Sequence, residues 1–286
     1  MVANPGRLAV ISTPIGNLGD LSPRARDELA AAELVAAEDT RRTGQLLTTL
    51  GLSRPLVSLH EHNEGERIDE LLQRLRGGAR IALVSDAGTP LLSDPGFELV
   101  RRVAQEGLTV VAVPGPSAIT AALSIAGLPT ERFSFEGFLP ARLAERRARL
   151  AELARETRTL VFFEAPHRIA ESLEDMSAAF GAERRAAVAR ELTKVFETVY
   201  RGTVGSLCTQ SRSDANFSRG EITVVVAGAE RAATDASAAQ LDATLRVLLG
   251  ELAPSKAAAL AAKLTGAKRN DAYARALELS TAGPRD

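Results

Sequence analysis

At 286 residues the chain has the length of one large domain or two ordinary ones, and it can bury a core without disulfides or metals. Apolar residues make up 45% and charged residues 25%, which excludes a disordered chain, and 35 basic against 36 acidic side chains exclude a global basic field. The single cysteine, Cys208, excludes an internal disulfide and reads as an inert, packed thiol of a reducing compartment.

Residues 1–7 lack the apolar core of a secretory signal, and the apolar run after them is short. That run, Leu8-Ala9-Val10-Ile11-Ser12, predicts a first strand, and Ser22 followed by Pro23 predicts the N-cap and first residue of a helix. Further short apolar runs predict strands at 34–37, 56–59, 81–85 and 109–113, with helices between them. The charge-free stretch Gly107–Pro129 is long enough to span a membrane. Pro114-Gly115-Pro116 breaks it, and Thr109, Ser117, Thr120 and Ser124 line it, so strand, turn and helix are expected there. The expected protein is soluble, cytoplasmic and free of the membrane.

The alternation then restarts. Strands are expected at 133–136, 160–163, 186–189, 198–200 and 222–227, with an Arg-rich amphipathic helix at 141–156. From about Arg231 the composition turns to Ala/Leu helices: 240–249, then 256–265 capped by Ser255 and stopped by Gly266, then 271–279 capped by Asn270. Alternating strands and helices imply an α/β fold around mostly parallel sheets. The expected division is an α/β domain at 1–115, a second at 116–230, and a helix-turn-helix-like module at 231–286.

In the first half every polar or glycine-rich cluster directly follows a strand. These are Thr13-Pro14-Ile15-Gly16-Asn17-Leu18-Gly19-Asp20, Glu38-Asp39-Thr40-Arg41-Arg42, His60-Glu61-His62-Asn63-Glu64, Asp86-Ala87-Gly88-Thr89-Pro90 and Pro114-Gly115-Pro116-Ser117-Ala118. In an open parallel sheet such loops share the carboxyl edge, where ligands bind. Each alone also reads as an ordinary turn. The glycine-rich dinucleotide and P-loop signatures are absent from the sequence. His60-x-His62 with neighbouring glutamates suggests a metal at first, but the chain has only one further histidine, His167, and no zinc spacing, so no metal is expected.

The second half adds Phe163-Glu164-Ala165-Pro166-His167-Arg168 and Arg190-Glu191-Leu192-Thr193-Lys194, cations that suit either phosphate or structural ion pairs. Residues 141–158 hold six arginines against three glutamates, and 254–286 six Lys/Arg against three acids, a local balance that favours an anionic partner or a solvated face.

Together with Ser93-Asp94-Pro95-Gly96, these eight ordered motifs, spread from about Leu8 to Leu279, closely resemble the ribosomal RNA small subunit methyltransferase I family of the tetrapyrrole methylase superfamily. The resemblance implies two α/β domains with S-adenosylmethionine in the cleft between them, and a homodimer. It implies 2′-O-methylation of a cytidine in the decoding region of 16S rRNA, within the small ribosomal subunit. The family's cofactor loops fall on Thr13, Pro14, Gly16 and Asn17; on Ser85, Asp86, Ala87 and Gly88; on Pro114, Gly115, Ser117 and Ala118; and on Phe163, Glu164 and Ala165. Departures are Phe163 where tyrosine is common, Arg42 where histidine is frequent, and Arg142 where lysine is usual.

Methyl transfer to a ribose hydroxyl needs in-line positioning and removal of one proton. Lys194, His62 and Glu61 are the catalytic candidates, Lys194 as a base only if burial or cations depress its pKa. Asp39, Arg41, Asn63, His167 and Arg168 are the expected substrate-binding residues. A methyltransferase of tetrapyrroles or other small molecules is the nearest alternative, and a non-enzymatic RNA-binding assembly factor the alternative of another class.

Overall fold

The computed structural model describes residues 6–59, 64–230 and 235–281. The chain separates into two compact units, Met1–Gly228 and Ala229–Asp286.

The first unit holds two five-stranded sheets. Strands β1 (Arg7–Ile11), β2 (Leu34–Ala37), β3 (Leu56–Ser58), β4 (Arg80–Val84) and β5 (Thr109–Val113) form one sheet in the order β3-β2-β4-β1-β5, every pair parallel. Helices α1 (Pro23–Ala31), α2 (Thr40–Thr49), α3 (Glu64–Arg76) and α4 (Phe97–Gln105) connect them. Strand alternation sends Leu8, Ala36, Ile81 and Leu83 to one face, against Leu72 and Leu75 of α3 and Leu99 of α4. Ala9, Ile11, Val35 and Val84 meet Leu29 of α1 and Leu47 of α2 on the other. With both faces covered, the strands read as continuous apolar runs. Ser22 caps α1 as its sequence predicts, its hydroxyl accepting from the Ala25 amide at 3.1 Å, with Pro23 in the first turn.

The second sheet comprises β6 (Phe133–Phe138), β7 (Thr159–Glu164), β8 (Arg185–Arg190), β9 (Thr198–Thr203) and β10 (Ile222–Val226), in the order β6-β7-β10-β8-β9. Only β6 and β7 are parallel; β10 runs antiparallel to both β7 and β8, and β8 antiparallel to β9. The expectation of a mostly parallel sheet therefore fails in this half. The cause is connectivity: β8 passes to β9 through a short turn, and a short turn joins antiparallel strands only. One face packs on α6 (Leu143–Leu153), α7 (Ile169–Phe180) and α8 (Val204–Ser213), around Phe162, Leu173 and Met176. Cys208 packs at the margin of this core. The other face receives α5 (Ala118–Ala126) through Ile119, Ala122 and Leu123. Ile15, from the loop after β1, joins the same cluster and ties the two sheets together. Residues 107–129 are thus β5, a turn and α5, and among the described residues no helix is long and apolar enough to cross a membrane.

The arginines of α6 are largely spent on carboxylates. Arg146, 3% exposed, donates through Nε to Asp175 at 2.7 Å, and Arg147 Nε donates to the other oxygen at 2.7 Å. Arg149 bridges Glu136 and Glu152, Arg142 pairs with Glu145, and Arg158 pairs with Glu156. The positive balance read along the chain is therefore mostly neutralised in space.

In the second unit, α9 (Asp235–Leu249), α10 (Pro254–Thr265) and α11 (Arg269–Thr281) pack through Leu241, Leu245, Ala257, Ala261, Ala272 and Ala276. The alanines let the helices approach closely, and Arg275 clamps Asp242 with bonds of 2.7 and 2.6 Å. Two expected caps are corrected. Pro254 takes the first position of α10, with Ala253 at the cap in place of Ser255, because a proline's fixed φ suits that site. Helix α11 begins at Arg269, ahead of Asn270, and the expected start of the tail at Arg231 lies outside the described residues. Gly266 ends α10 in the left-handed conformation, as expected.

Candidate active site

Because the first sheet is parallel, the loops after β1, β2, β4 and β5 leave it on one edge, and hydrogen bonds stitch three of them together. Thr13 and Gly88 exchange backbone bonds of 2.8 and 3.0 Å, and the Thr13 hydroxyl donates to the Ser85 carbonyl at 3.3 Å. Ser12 and Thr89 share a hydroxyl hydrogen bond of 2.8 Å, and Thr89 donates to the Pro116 carbonyl at 3.1 Å. These polar groups are buried or half-buried, so their pairing removes the cost of desolvation and fixes the rim.

The rim closes one wall of a cavity of about 350 Å³. Ile15, Ala87, Gly88, Thr89, Leu92, Asp94, Ser117, Ala118 and Ile119 supply that wall, and Phe138, Phe163, Glu164, Ala165, Pro166, Leu192 and residues 220–223 supply the opposite one. Of the expected cofactor residues, Ala87, Gly88, Ser117, Ala118, Phe163, Glu164 and Ala165 line it directly. Thr13 and Ser85 stand behind it in the rim, and Gly115 lines an adjoining shallower hollow with Asp20, Thr120 and Thr193. Pro14 and Asn17 border neither space; Asn17 instead caps the short turn Leu18–Asp20, its side chain accepting from the Gly19 amide at 2.9 Å. Pro114 is exposed at the head of the β5 loop.

The sequence places 222–223 in an expected strand and gives no sign that the segment 220–223 belongs to the site. Antiparallel pairing brings it here: Ile222 lies opposite both Glu164 of β7 and Arg190 of β8, so the entry to β10 falls beside the exits of those two strands. The pairing also delivers the turn 191–194. Gly220 has φ +76, and a Cβ there would overlap the Glu191 carboxylate, so this position requires glycine. Thr89, Leu92, Asp94, Phe138 and Leu192 are further lining residues outside the expected set. Leu91 and Ser93 have φ of 73° and 69°, and Glu191 and Thr193 have 53° and 64°. Among the described residues these are the positive-φ positions not filled by glycine, and they occupy two loops on opposite sides of the cavity. Strain of this kind, about 1–3 kcal/mol per residue, persists where surrounding contacts over-determine the backbone.

Electrostatics divide the charged candidates. Lys194 Nζ donates to Glu191 at 2.8 Å and pairs with Glu221 at 3.2 Å. Burial pulls its pKa down, but the two carboxylates outweigh burial and raise it. The condition for Lys194 to act as a base is therefore not met in this structure, which holds it as a cation. Glu164, 2% exposed, accepts from the Ala165 amide at 2.7 Å and the Ser172 hydroxyl at 2.5 Å, with Arg168 Nε at 3.4 Å. Arg168 also donates to the Leu139 and Pro140 carbonyls, so its guanidinium braces the loop after β6. Asp39 caps α2, and the Arg41 guanidinium on its carboxylate holds its pKa at about 2. Arg41 itself is exposed, Arg42 pairs with Asp86 at 3.3 Å, and Asp86 accepts from the Asp39 amide at 3.0 Å. Burial, then the Asp86 charge, raises the Glu38 pKa. Asp94 is pushed up to about 6, by burial first and then by Glu38 and Asp86, against a hydrogen bond from Ser85. His167 is exposed beside the cavity wall, while Glu61, His62 and Asn63 lie outside the described residues. No cluster of metal-binding side chains occurs among the described residues.

The cavity's volume suits a cofactor-sized ligand, and its composition, apolar walls with a few converging polar groups, is that of a small-molecule site. Ser117 precedes α5 without capping it through its side chain, so the helix start offers backbone donors at the cavity.

Comparison with known proteins agrees with this arrangement. Residues 7–208 match the family described as Tetrapyrrole (Corrin/Porphyrin) Methylases, and residues 235–280 match the RsmI C-terminal HTH domain. The chain is 54% identical over 275 residues to the ribosomal RNA small subunit methyltransferase I of Xylella fastidiosa (strain Temecula1), covering 95% of this chain and 99% of that one. It is 52% identical to the protein of the same name from Pseudomonas aeruginosa, covering 96% and 97% of the two chains. Among solved structures, a cobalt precorrin-4 methyltransferase aligns with TM-score 0.58 at 18% identity, over 78% of this chain and 95% of that one. A uroporphyrin-III C-methyltransferase from Thermus thermophilus complexed with S-adenosyl homocysteine aligns with TM-score 0.53 at 18% identity, over 78% and 97%. At that identity the structural likeness concerns the fold.

Proposed function

From the membership of this chain in the tetrapyrrole methylase family, and within it among the ribosomal RNA small subunit methyltransferases I, we propose that it transfers a methyl group from S-adenosylmethionine to small-subunit rRNA. The acceptor in this reading is the 2′-hydroxyl of a cytidine in the decoding region of 16S rRNA. The observation that carries it is the cavity itself, walled on one side by the loops after β1, β4 and β5 and on the other by the ends of β7, β8 and β10.

The lining fits the donor. The negative charge of Glu164 and Glu221 on the far wall favours a cationic ligand, and Ile119, Phe163 and Leu192 give its heterocycle an apolar bed. When bound, S-adenosylmethionine supplies an electrophilic methyl group on a sulfonium. The protein's part is to hold and orient. Ala87, Gly88, Ser117, Ala118 and Phe163 to Ala165 bind the donor, with Thr13, Ser85, Asp86, Pro114 and Gly115 fixing their loops and Pro14, Gly16 and Asn17 setting the course of the loop after β1. Arg41 and His167, exposed at the rim, meet RNA phosphate or sugar together with Asn63 and the Asp39-anchored loop. Lys194 contributes a fixed positive charge, Arg168 positions the β6 loop, and His62 and Glu61 remain the candidates on the loop after β3.

Three further readings accompany this one. The lobes divide at 115/116, with the helical module beginning at 231; α5 packing on the second sheet supports the first boundary. The chain works as a homodimer, for which exposed Val195 and Phe196 offer apolar surface. A ribosomal substrate implies a cytoplasmic location.

The test incubates the protein and labelled S-adenosylmethionine with small subunits from cells lacking the protein, then maps ribose methylation. Label at one 16S cytidine 2′-oxygen is expected. Label appearing only on corrinoid or porphyrin precursors overturns the reading in favour of a small-molecule methyltransferase, and ribosome binding without cofactor binding would favour an assembly factor.

A further inference from the structure

We propose that Asp94 is the group that takes the proton from the acceptor hydroxyl, an inference that rests on the methyl-transfer reading above. Among the described residues lining the cavity, the titratable side chains are Asp94, Glu164 and Glu221. Two of them are already committed. Glu164 accepts from the Ala165 amide and the Ser172 hydroxyl, forms an ion pair with Arg168 Nε at 3.4 Å, and is 2% exposed. Glu221 reaches outward, its side chain 70% exposed and paired with Lys194 at 3.2 Å. Asp94 is half-buried in the cavity wall, with Ser85 as its hydrogen-bond neighbour and charges of its own sign, Glu38 and Asp86, around it. Arg42 pairs with Asp86 at 3.3 Å, and the charges that act on Asp94 are those of Glu38 and Asp86.

The backbone supports a positioning purpose for this residue. Leu91 and Ser93 both adopt left-handed φ in the short segment that carries Asp94 to the cavity. Glycine would adopt that conformation without penalty, yet neither position is glycine, so surrounding contacts hold the segment in this shape.

The chemistry balances. The O–H bond of the ribose breaks and its proton passes to an Oδ of Asp94. The oxygen's electron pair forms the new bond to the methyl carbon, and the pair of the methyl–sulfur bond stays on the departing thioether. An aspartate whose pKa is lifted towards neutrality is a stronger proton acceptor than an ordinary one while still ionised at neutral pH. Lys194, held protonated by two carboxylates, has no free pair for this step.

The test compares wild type with Asp94→Asn on small subunits lacking the modification, and measures S-adenosylmethionine binding by calorimetry. A positioned general base contributes about 100- to 10,000-fold, so kcat is expected to fall at least ~100-fold while cofactor Kd stays within about 2-fold. The wild-type kcat/KM is expected to rise to a plateau above pH 6, with that limb missing from the residual activity of D94N. NMR of the cofactor-free protein provides a reading independent of turnover: the Asp94 carboxyl should titrate near 6. The inference is overturned if D94N keeps kcat within about 3-fold, if it loses cofactor affinity about 10-fold or more, or if the carboxyl titrates in the ordinary aspartate range. An active wild type with an active D94N sinks this assignment alone; a wild type that methylates no small-subunit rRNA sinks the methyl-transfer reading with it.

Discussion

The aliphatic stem of Lys194 lies directly over Gly16, so closely that a Cβ at position 16 would overlap its Cγ. Gly16 belongs to the loop after β1 and Lys194 to the turn after β8, so this contact joins the two sides of the cavity. The lysine cannot simply swing aside, because Glu191 and Glu221 hold its ammonium at 2.8 and 3.2 Å. Gly16→Ala should therefore raise the cofactor Kd roughly 10-fold, about 1.4 kcal/mol. Lys194→Ala should recover part of that loss when combined with it, since the shortened side chain vacates the space. Calorimetry on the two single variants and the double variant decides the point. Strictly additive effects would show that the contact transmits nothing.

Lys194 also makes a prediction about pH. Burial lowers its pKa, but its two carboxylate partners raise it further, so it stays protonated throughout the range where the enzyme is assayed. A group whose folded pKa is raised adds stability below its unfolded value and loses it only as pH climbs through the folded one, here above 10.5. Lys194→Met should thus lower methylation by removing a fixed charge, yet leave the shape of the pH–rate profile between pH 6 and 9 unchanged. A variant profile that loses a limb in that interval would restore Lys194 as a proton carrier.

How far the sequence disclosed all this varies with the physical origin of each feature. The rim at Ser12–Gly16, Ser85–Thr89 and Pro114–Ser117 was legible because parallel strands send their exits to one edge, so clustered turn residues after successive strands must meet. The antiparallel course of β10 was not legible. A strand buried on both faces, such as Ile222–Val226, reads the same in either direction, so the expected strand at 222–227 carried no sign that its entry at 220–223 lines the cavity. Asp94 was visible as part of the motif Ser93-Asp94-Pro95-Gly96, but its place in the cavity wall was not, because what carries it there is the left-handed backbone at Leu91 and Ser93, residue types that carry no local signal for that conformation. The arginine run on α6 misled as a count because its partners Glu136 and Asp175 lie outside the run.

That arginine network yields a stability prediction. Asp175 is 3% exposed and accepts from Arg146 and Arg147 at 2.7 Å each. Burial pushes its carboxyl up, but the hydrogen bonds from both guanidiniums win and its pKa is lowered. Its contribution is present above the unfolded value of 3.8 and fades as pH falls through the depressed folded value. Asp175→Ala should cost about 3 kcal/mol in urea unfolding, because it removes the closer carboxylate of the buried Arg146 and leaves that guanidinium only Glu171 at 3.3 Å and the Ala141 carbonyl at 3.4 Å. Wild type should lose part of the same stability when acidified below pH 4. A loss under about 1 kcal/mol, as for a surface pair, would mean that water reaches Arg146.

Asp94 should oppose stability with the opposite pH dependence. Its folded pKa is raised, to about 6 from 3.8, by burial and then by Glu38 and Asp86. Below the unfolded value the carboxyl is neutral in both states and costs nothing. Between the two values the unfolded chain ionises first, so stability falls as pH rises and levels off above 6. Because the side chain is only half-buried, solvent screening reduces the full linkage energy to about 1 kcal/mol. Asp94→Asn should accordingly melt roughly 2–4 °C higher than wild type at pH 7.5 and no higher at pH 3.5. A carboxylate kept where it weakens the fold is expected of a residue retained for its chemistry, so this gain should accompany the loss of turnover. Thermal melts of both proteins across pH 3.5 to 8 provide the check. A melting difference that stays flat with pH would show that Asp94 is solvated like a surface aspartate, with no elevated basicity to offer the acceptor hydroxyl.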